Sequence, residues 1–437
     1  MLKLRHLTLL QGMKFICLGL KQIPLQNLKV NYYRMAKRFA LAGLTLAAGL
    51  LSTAALAQTT KANLSGTTNT VTTAVPFLRI SPDARSGAMG DVGVAIDPDA
   101  NAQYWNVAKL PFATKKYGVS ATYTPWLKDL VPDIFLAYLA GYAKFGENDN
   151  QSISASLRYF SLGEINYTDI NANPIGTGKP NEFALDLGYS RKLSEYLSAG
   201  LSFRYINSSI ASGLSATTPG IEYRPGNAFG ADLGIYYRKK NEIDEFRSGT
   251  VALGAVLSNV GSKISYTSTR KDFIPINLGL GGAYTYQADA YNAVTFALDV
   301  NKLLVPTPID TNTDPTTGPN YVIPDKGVVS GMLGSFGDAP GGFNEELREF
   351  QISAGAEYWY RQQFAVRAGY FWEHKLKGDR KYFTVGVGVR YNVFGLNFAY
   401  LVPSGSGINR NPLSNTFRFS LLFEFDKLEK KPETAAP

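Results

Sequence analysis

Very little in this 437-residue chain is equipped for covalent chemistry. Of its two histidines, His6 lies near the start and His374 sits in the charged triplet Glu373-His374-Lys375. A Ser-His-Asp relay, such as an outer-membrane lipase or a lipid A deacylase would need, requires a histidine that reaches a nucleophile. No nucleophile signature accompanies His374, so it reads as a solvated surface side chain. The single cysteine, Cys17, also lies near the start and leaves the rest of the chain without a thiolate for zinc or catalysis. Asp310-Thr311-Asn312-Thr313-Asp314 begins like a calcium loop, but Pro315 and Tyr321 occupy the positions that need glycine and glutamate. Gly279-Leu280-Gly281-Gly282 and Gly386-Val387-Gly388 lead into no helix, so they are not phosphate cradles. Inward-facing glycines of this kind permit bends or the close approach of another segment. No metal, cofactor or catalytic constellation is expected.

The charges that remain are spaced two by two along alternating segments. From about Lys116 to Phe425 the chain repeats, roughly fourteen times, a run of about ten residues in which apolar alternates with small or polar. In Ser152–Phe160 the residues Ile153, Ala155, Leu157 and Tyr159 share one face; Ser154, Ser156 and Arg158 share the other. Glu182–Ser190, Phe229–Tyr237, Phe383–Tyr391 and Thr416–Phe425 repeat the arrangement. Such runs, separated by alternately short and long turns, specify a transmembrane antiparallel β-barrel with lipid outside and a polar lumen. The inward faces then carry Arg158, Arg204, Arg367, Arg390 and Arg418 against Asp186, Asp232, Asp299, Glu357 and Glu424. A selective pore would favour one sign. Balanced charges must be paired or wet, so a filled lumen is expected.

Composition agrees once the N-terminus is set apart. The formal charge of +9 comes largely from residues 1–57, which hold eight Lys or Arg and no acid; the other 36 basic residues face 35 acidic ones. A nucleic-acid partner is therefore not expected. Met35 opens a secretory signal: Lys37 and Arg38, the apolar run Phe39 to Ala54, and Ala55-Leu56-Ala57 as cleavage site. Residues 1–34 read as an upstream extension, 35–57 as signal peptide, 58–115 as a flexible segment and small N-terminal hatch, 116–426 as barrel, and 427–437 as a periplasmic tail. After the signal no apolar run is long enough for a spanning helix.

Turn lengths set the expected topology. With entry from the periplasm, short turns fall at 146–150, 192–195, 239–248, 287–292, 361–362 and 392–393. Longer connections fall at 125–131, 161–181, 209–226, 261–274, 305–349, 373–380 and 403–414, and would lie at the cell surface, with both termini periplasmic. Trp126, Tyr236-Tyr237, Tyr358-Trp359-Tyr360 and Tyr370-Phe371-Trp372 cluster at strand ends as interfacial girdles do. A soluble β-sandwich explains neither the girdles nor the turn alternation. The connection 305–349 is too long for a passive link and carries Val328-Val329, Met332-Leu333, Phe336 and Phe343. It reads either as a protein-binding surface or as a lid over the barrel mouth.

Pro76-Phe77-Leu78-Arg79-Ile80-Ser81-Pro82-Asp83-Ala84-Arg85-Ser86-Gly87-Ala88-Met89-Gly90-Asp91-Val92-Gly93-Val94-Ala95 and Ala102-Gln103-Tyr104-Trp105-Asn106-Val107-Ala108-Lys109-Leu110 resemble the start of the PorV family of type IX secretion, a relative of FadL channels. Val107 stands where the wider FadL-like group has proline. Thr124-Pro125-Trp126-Leu127 and Asp338-Ala339-Pro340-Gly341-Gly342-Phe343-Asn344-Glu345-Glu346-Leu347-Arg348 are similar to PorV in particular. The resemblance implies an all-β, FadL-like barrel of about 14 strands in the outer membrane, with a periplasmic-side hatch and no enzymatic activity. It implies a shuttle that takes secreted cargo, through the cargo's C-terminal signal domain, from the large translocon barrel to the sortase-containing attachment complex at the cell surface. Partner contacts are expected at Trp126, Leu127, Met332, Leu333, Phe336 and Phe343. The alternative is a FadL-like transporter of hydrophobic small molecules.

Overall fold

The computed structural model describes residues 69–426 apart from 127–132, 169–170, 211–223, 268–269, 313–319 and 403–415. The expected leader, signal peptide and tail therefore lie outside the described residues, as does Leu127. Fourteen strands form one closed antiparallel barrel. They are β1 Tyr117–Pro125, β2 Ile134–Phe145, β3 Gln151–Leu162, β4 Asn181–Lys192, β5 Leu197–Ser209, β6 Gly226–Glu242 and β7 Ser248–Gly261. The second half comprises β8 Asn277–Gln287, β9 Asn292–Leu303, β10 Gln351–Tyr360, β11 Phe364–Trp372, β12 Lys381–Tyr391, β13 Phe394–Val402 and β14 Phe417–Phe425. Each strand pairs with its sequence neighbours, and Tyr117↔Phe425 through Tyr123↔Phe419 close the ring. Closure satisfies the backbone groups of every strand without an edge, the condition for crossing lipid with strands. No helix among the described residues is long and apolar enough to cross a membrane.

The two-residue period sorts the side chains. Along β4, Leu185, Leu187 and Tyr189 are exposed while Ala184, Asp186 and Ser190 are buried. β12 exposes Phe383, Val385, Val387 and Val389 and buries Thr384. The same period corrects the girdle reading. Tyr236, Trp359 and Phe371, next to outward aromatics in sequence, are buried inside the barrel. Tyr236 packs edge-on to Phe112, and Phe371 stacks on Tyr382. One irregularity escapes the period: the β6–β7 register shifts between Ala231 and Leu233. Asn259 takes a positive φ there and donates its backbone N–H to Asp232.

The segment before β1 runs through the lumen. Its short helices Pro76–Arg79, Ala84–Gly87, Ala102–Trp105 and Val107–Phe112 form a plug against the inner wall. Asp83 caps the second by accepting from Ser86 N at 2.8 Å, and Trp105 Nε1 donates to its other oxygen at 2.7 Å. Inward glycines make the room. A Cβ on Gly369 would lie 2.0 Å from the Met89 carbonyl carbon, one on Gly386 2.4 Å from Ala88, and one on Gly281 2.7 Å from Val94. Val107 needs no proline here: Asn106 Oδ1 caps Ala108 N, and the Val107 side chain lies over Gly188 and Gly200.

The plug ends at the rim of short turns, where Lys115 pairs with Asp426 at 2.7 Å. Its described start lies at the other rim. Asn69 N donates to Leu376 O at 3.2 Å, and Ala74 N to Phe273 O at 3.0 Å, both on long connections. Asp426 thus lies at the short-turn rim and Asn69 at the other, while both chain ends fall outside the described residues. Alternation along strands fixes the wall but carries no information about the direction in which a plug is threaded.

Candidate functional site

Burying charge in a lumen costs several kcal/mol per ion unless partners are in place. Arg204 bridges Asp186 and Asp232 at 2.5 and 3.0 Å, and Arg367 meets Glu357 at 2.6 Å. Arg390 and Glu424 are 3.8 Å apart. The remaining inward charges find partners on the plug. Arg85 pairs with Glu357 at 2.7 Å and Asp91 with Arg418 at 3.0 Å. Asp299 Oδ2 accepts from the backbone N–H of Gly93 and Val94 at 2.7 and 2.8 Å. Arg158 donates to Leu78 O at 3.0 Å. Arg85 and Asp91 were not singled out from the sequence, although two charges amid the small residues of Ala84–Val92 are the signal that marks them.

The long connection between β9 and β10 forms a platform at the long-connection rim. Its helix Val328–Gly334 is amphipathic by the i, i+4 rule. Val328 and Met332 pack on an apolar core that includes Phe77, Phe160, Ile206, Phe273 and Leu304, while Val329 and Leu333 are each 61% exposed. Gly331 permits the close seat, since a Cβ there would lie 2.9 Å from the Phe273 ring. Phe336 is exposed. The turn Phe343–Glu346 repeats the division: Phe343 and Leu347 are exposed, at 67% and 50%, and Glu345, Glu346 and Glu349 are buried.

Those three carboxylates clamp the platform to the rim. Lys302 Nζ on β9 holds Glu346 at 2.9 Å and Glu349 at 2.6 Å. Lys377, between β11 and β12, holds Glu345 at 2.6 Å and Glu349 at 3.0 Å. Ala339 N and Gly341 N donate to Glu346 and Glu345 at 2.7 Å, and Thr307 Oγ1 to Glu349 at 2.8 Å. Burial pushes the Glu346 carboxyl up from its ordinary range, and nearby Glu349 adds to this; Lys302 opposes both. Asn69 Nδ2 donates to Pro308 O at 3.0 Å and joins the plug to the same connection. The platform packs inward by one face and exposes apolar side chains on the other.

Of the six residues expected to meet a partner, Leu333, Phe336 and Phe343 lie exposed on this platform. Met332 and Trp126 pack inward against the apolar core. His374 Nδ1 accepts from Leu376 N at 3.2 Å and closes a turn; burial and the cations Arg348 and Lys375 lower its pKa. Asp310 Oδ1 accepts from Asn312 N and Asn320 N, each at 2.9 Å, and so closes its own loop.

A family model described as type IX secretion system protein PorV matches residues 63–310, more than half of the chain. No curated protein matches in sequence. Among solved structures, the toluene transporter TbuX of Ralstonia pickettii matches at 11% identity and a TM-score of 0.45, over 78% of this chain and 98% of that one. The toluene transporter TodX of P. putida matches at 12% identity and 0.45, over 79% and 99%. A FadL homologue of Pseudomonas aeruginosa matches at 11% identity and 0.39, over 82% and 100%.

Proposed function

The chain belongs to the PorV family of type IX secretion system proteins, and from that premise we propose that it is a non-enzymatic cargo shuttle of the outer membrane. In this reading the long connections face the cell surface. The platform receives secreted proteins by their C-terminal signal domains at the translocon and passes them to the surface attachment complex. The observation that carries the reading is the pairing of exposed Leu333, Phe336 and Phe343 with a buried clamp beneath them. Exposed aromatics on a fixed support lose little side-chain freedom on binding, which is what makes an interface anchor effective. Division of the chain into leader, signal peptide, plug, barrel and tail belongs to the same proposal.

The FadL-like alternative, transport of a hydrophobic small molecule, has less support. The cavity between plug and wall is about 190 Å³, below the roughly 300 Å³ at which sites for drug-sized ligands begin, and Arg79, unpaired among the described residues, is part of its lining. The test is recovery of cargo with the tagged protein from outer membranes. The double variant Leu333→Asp, Phe343→Asp should assemble as a barrel and recover at least about tenfold less cargo, since anchor residues are typically worth 2 kcal/mol or more. Undiminished recovery by the assembled variant refutes the platform assignment.

A further inference from the structure

The cavity between plug and wall holds more positive than negative charge. Its lining includes Arg79, Arg204, Arg380 and Arg418, and Asp91 is its one carboxylate. Three of the arginines are matched: Arg204 by Asp186 and Asp232, Arg380 by Glu373 at 2.8 Å, and Arg418 by Asp91. Arg79 makes no ion pair and no side-chain hydrogen bond among the described residues. Next to it Tyr104, also in the lining, stacks under the Arg158 guanidinium at 4.5 Å. Arg158 is fully buried and has no carboxylate partner among the described residues; its Nε and one Nη make no hydrogen bond. Leu78 O, which accepts from both Arg158 and Tyr104 Oη, ties this second arginine to the residue before Arg79.

We propose that this cavity is a binding site for a small oxyanion, with Arg79 as its principal ligand and Arg158 supplying unbalanced positive charge behind Tyr104. A guanidinium presents a planar fork of donors that matches two oxygens of a phosphate, sulfate or carboxylate. Burial and the neighbouring Arg380 act against the Arg79 charge and the Glu373 carboxylate partly offsets them, which places its pKa at about 10 and leaves it a cation at neutral pH. An anion would relieve that penalty. The volume limits the choice: drug-sized ligands need roughly 300 Å³ or more, so the site takes a free oxyanion or the head of a longer molecule. The site is independent of the platform and of the cargo reading.

The test uses the whole purified protein in a non-ionic detergent. Inorganic phosphate, titrated calorimetrically in chloride-free buffer, should bind saturably to the wild type. Arg79→Gln should weaken binding at least about tenfold, and Arg79→Lys, which keeps the charge but loses the planar fork, should bind with an affinity between the two. Native mass spectrometry of the same samples separates the sources. A co-purified phospholipid that Arg79→Gln loses identifies a headgroup, whereas an empty site that binds phosphate identifies a free anion. The proposal is overturned if the wild type neither binds phosphate nor carries an anionic molecule. It is equally overturned if Arg79→Gln, shown to be a folded barrel by heat-dependent gel mobility, binds phosphate as the wild type does.

Discussion

Replacing Lys302 with alanine should free the platform without unfolding the barrel. Lys302 is 1% exposed and sits between Glu346 and Glu349, themselves 5% and 3% exposed. Its removal leaves Glu346 with only the Ala339 N–H, and leaves Glu349 dependent on Lys377 and Thr307. Breaking one partner out of a buried ion pair typically costs about 3–5 kcal/mol. At about 1.4 kcal/mol per tenfold change, the lifted population should rise by roughly two to three and a half orders of magnitude. The loss is local because the ladder hydrogen bonds of β9 to β8 and β10 do not involve the Lys302 side chain. Trypsin reports it directly: Lys326 and Arg348 lie within the platform, and cleavage by a protease slower than reclosing follows the open population. Cleavage there should accelerate at least about a hundredfold in Lys302→Ala, with gel mobility of the unheated barrel unchanged. Lys302→Met combined with Glu346→Gln, which removes charge on both sides, should recover part of the protection. Unchanged cleavage in an intact Lys302→Ala barrel would refute the clamp.

The plug offers two further tests. Gly369→Ala drives a methyl group into the Met89–Gly90 backbone, so it should cost about 1–3 kcal/mol and raise protease access to the plug; a melting temperature identical to wild type would contradict the close approach. Lys109 is buried and donates to Gly93 O at 2.5 Å, and burial lowers its pKa to about 8. Between that value and its ordinary 10.5 the unfolded chain binds the proton that the folded one has released, so stability rises with pH in that window. The wild type should therefore gain on Lys109→Met by about 1–3 kcal/mol between pH 8 and pH 10, as melts in detergent will show; a constant difference would count against the assignment.

The wall was legible in the sequence because its signal is local. Each strand must alternate, and each turn must span only the distance between neighbours, so both can be read ten residues at a time. The strand bounds and the alternation of short turns with long ones follow from that. What local period cannot carry is which side chains meet across the lumen. Five inward arginines and five inward acids count as neutral, yet Glu357 serves Arg85 as well as Arg367, and Arg418 is answered by Asp91. The Arg85–Glu357 and Asp91–Arg418 contacts join residues some 270 to 330 apart, and only the plug brings them together.

The apolar residues of the platform were legible in the sequence for a similar reason, and the direction in which each one points was not. Apolar residues in a long connection flag a surface, but helical phase decides which of them face out. Met332 and Leu333 are adjacent, yet the helix Val328–Gly334 turns one toward Phe273 and its neighbours and the other to solvent. Phe343 and Glu345 likewise take opposite sides of one short turn, so a single segment supplies both the exposed aromatic and the carboxylate that fastens it. Asn69 then bonds to Pro308 O and to Leu376 O, on the two connections that Lys302 and Lys377 clamp together. Plug, rim and platform share one set of contacts, and the exposed surface is held from below by the same chain that fills the barrel.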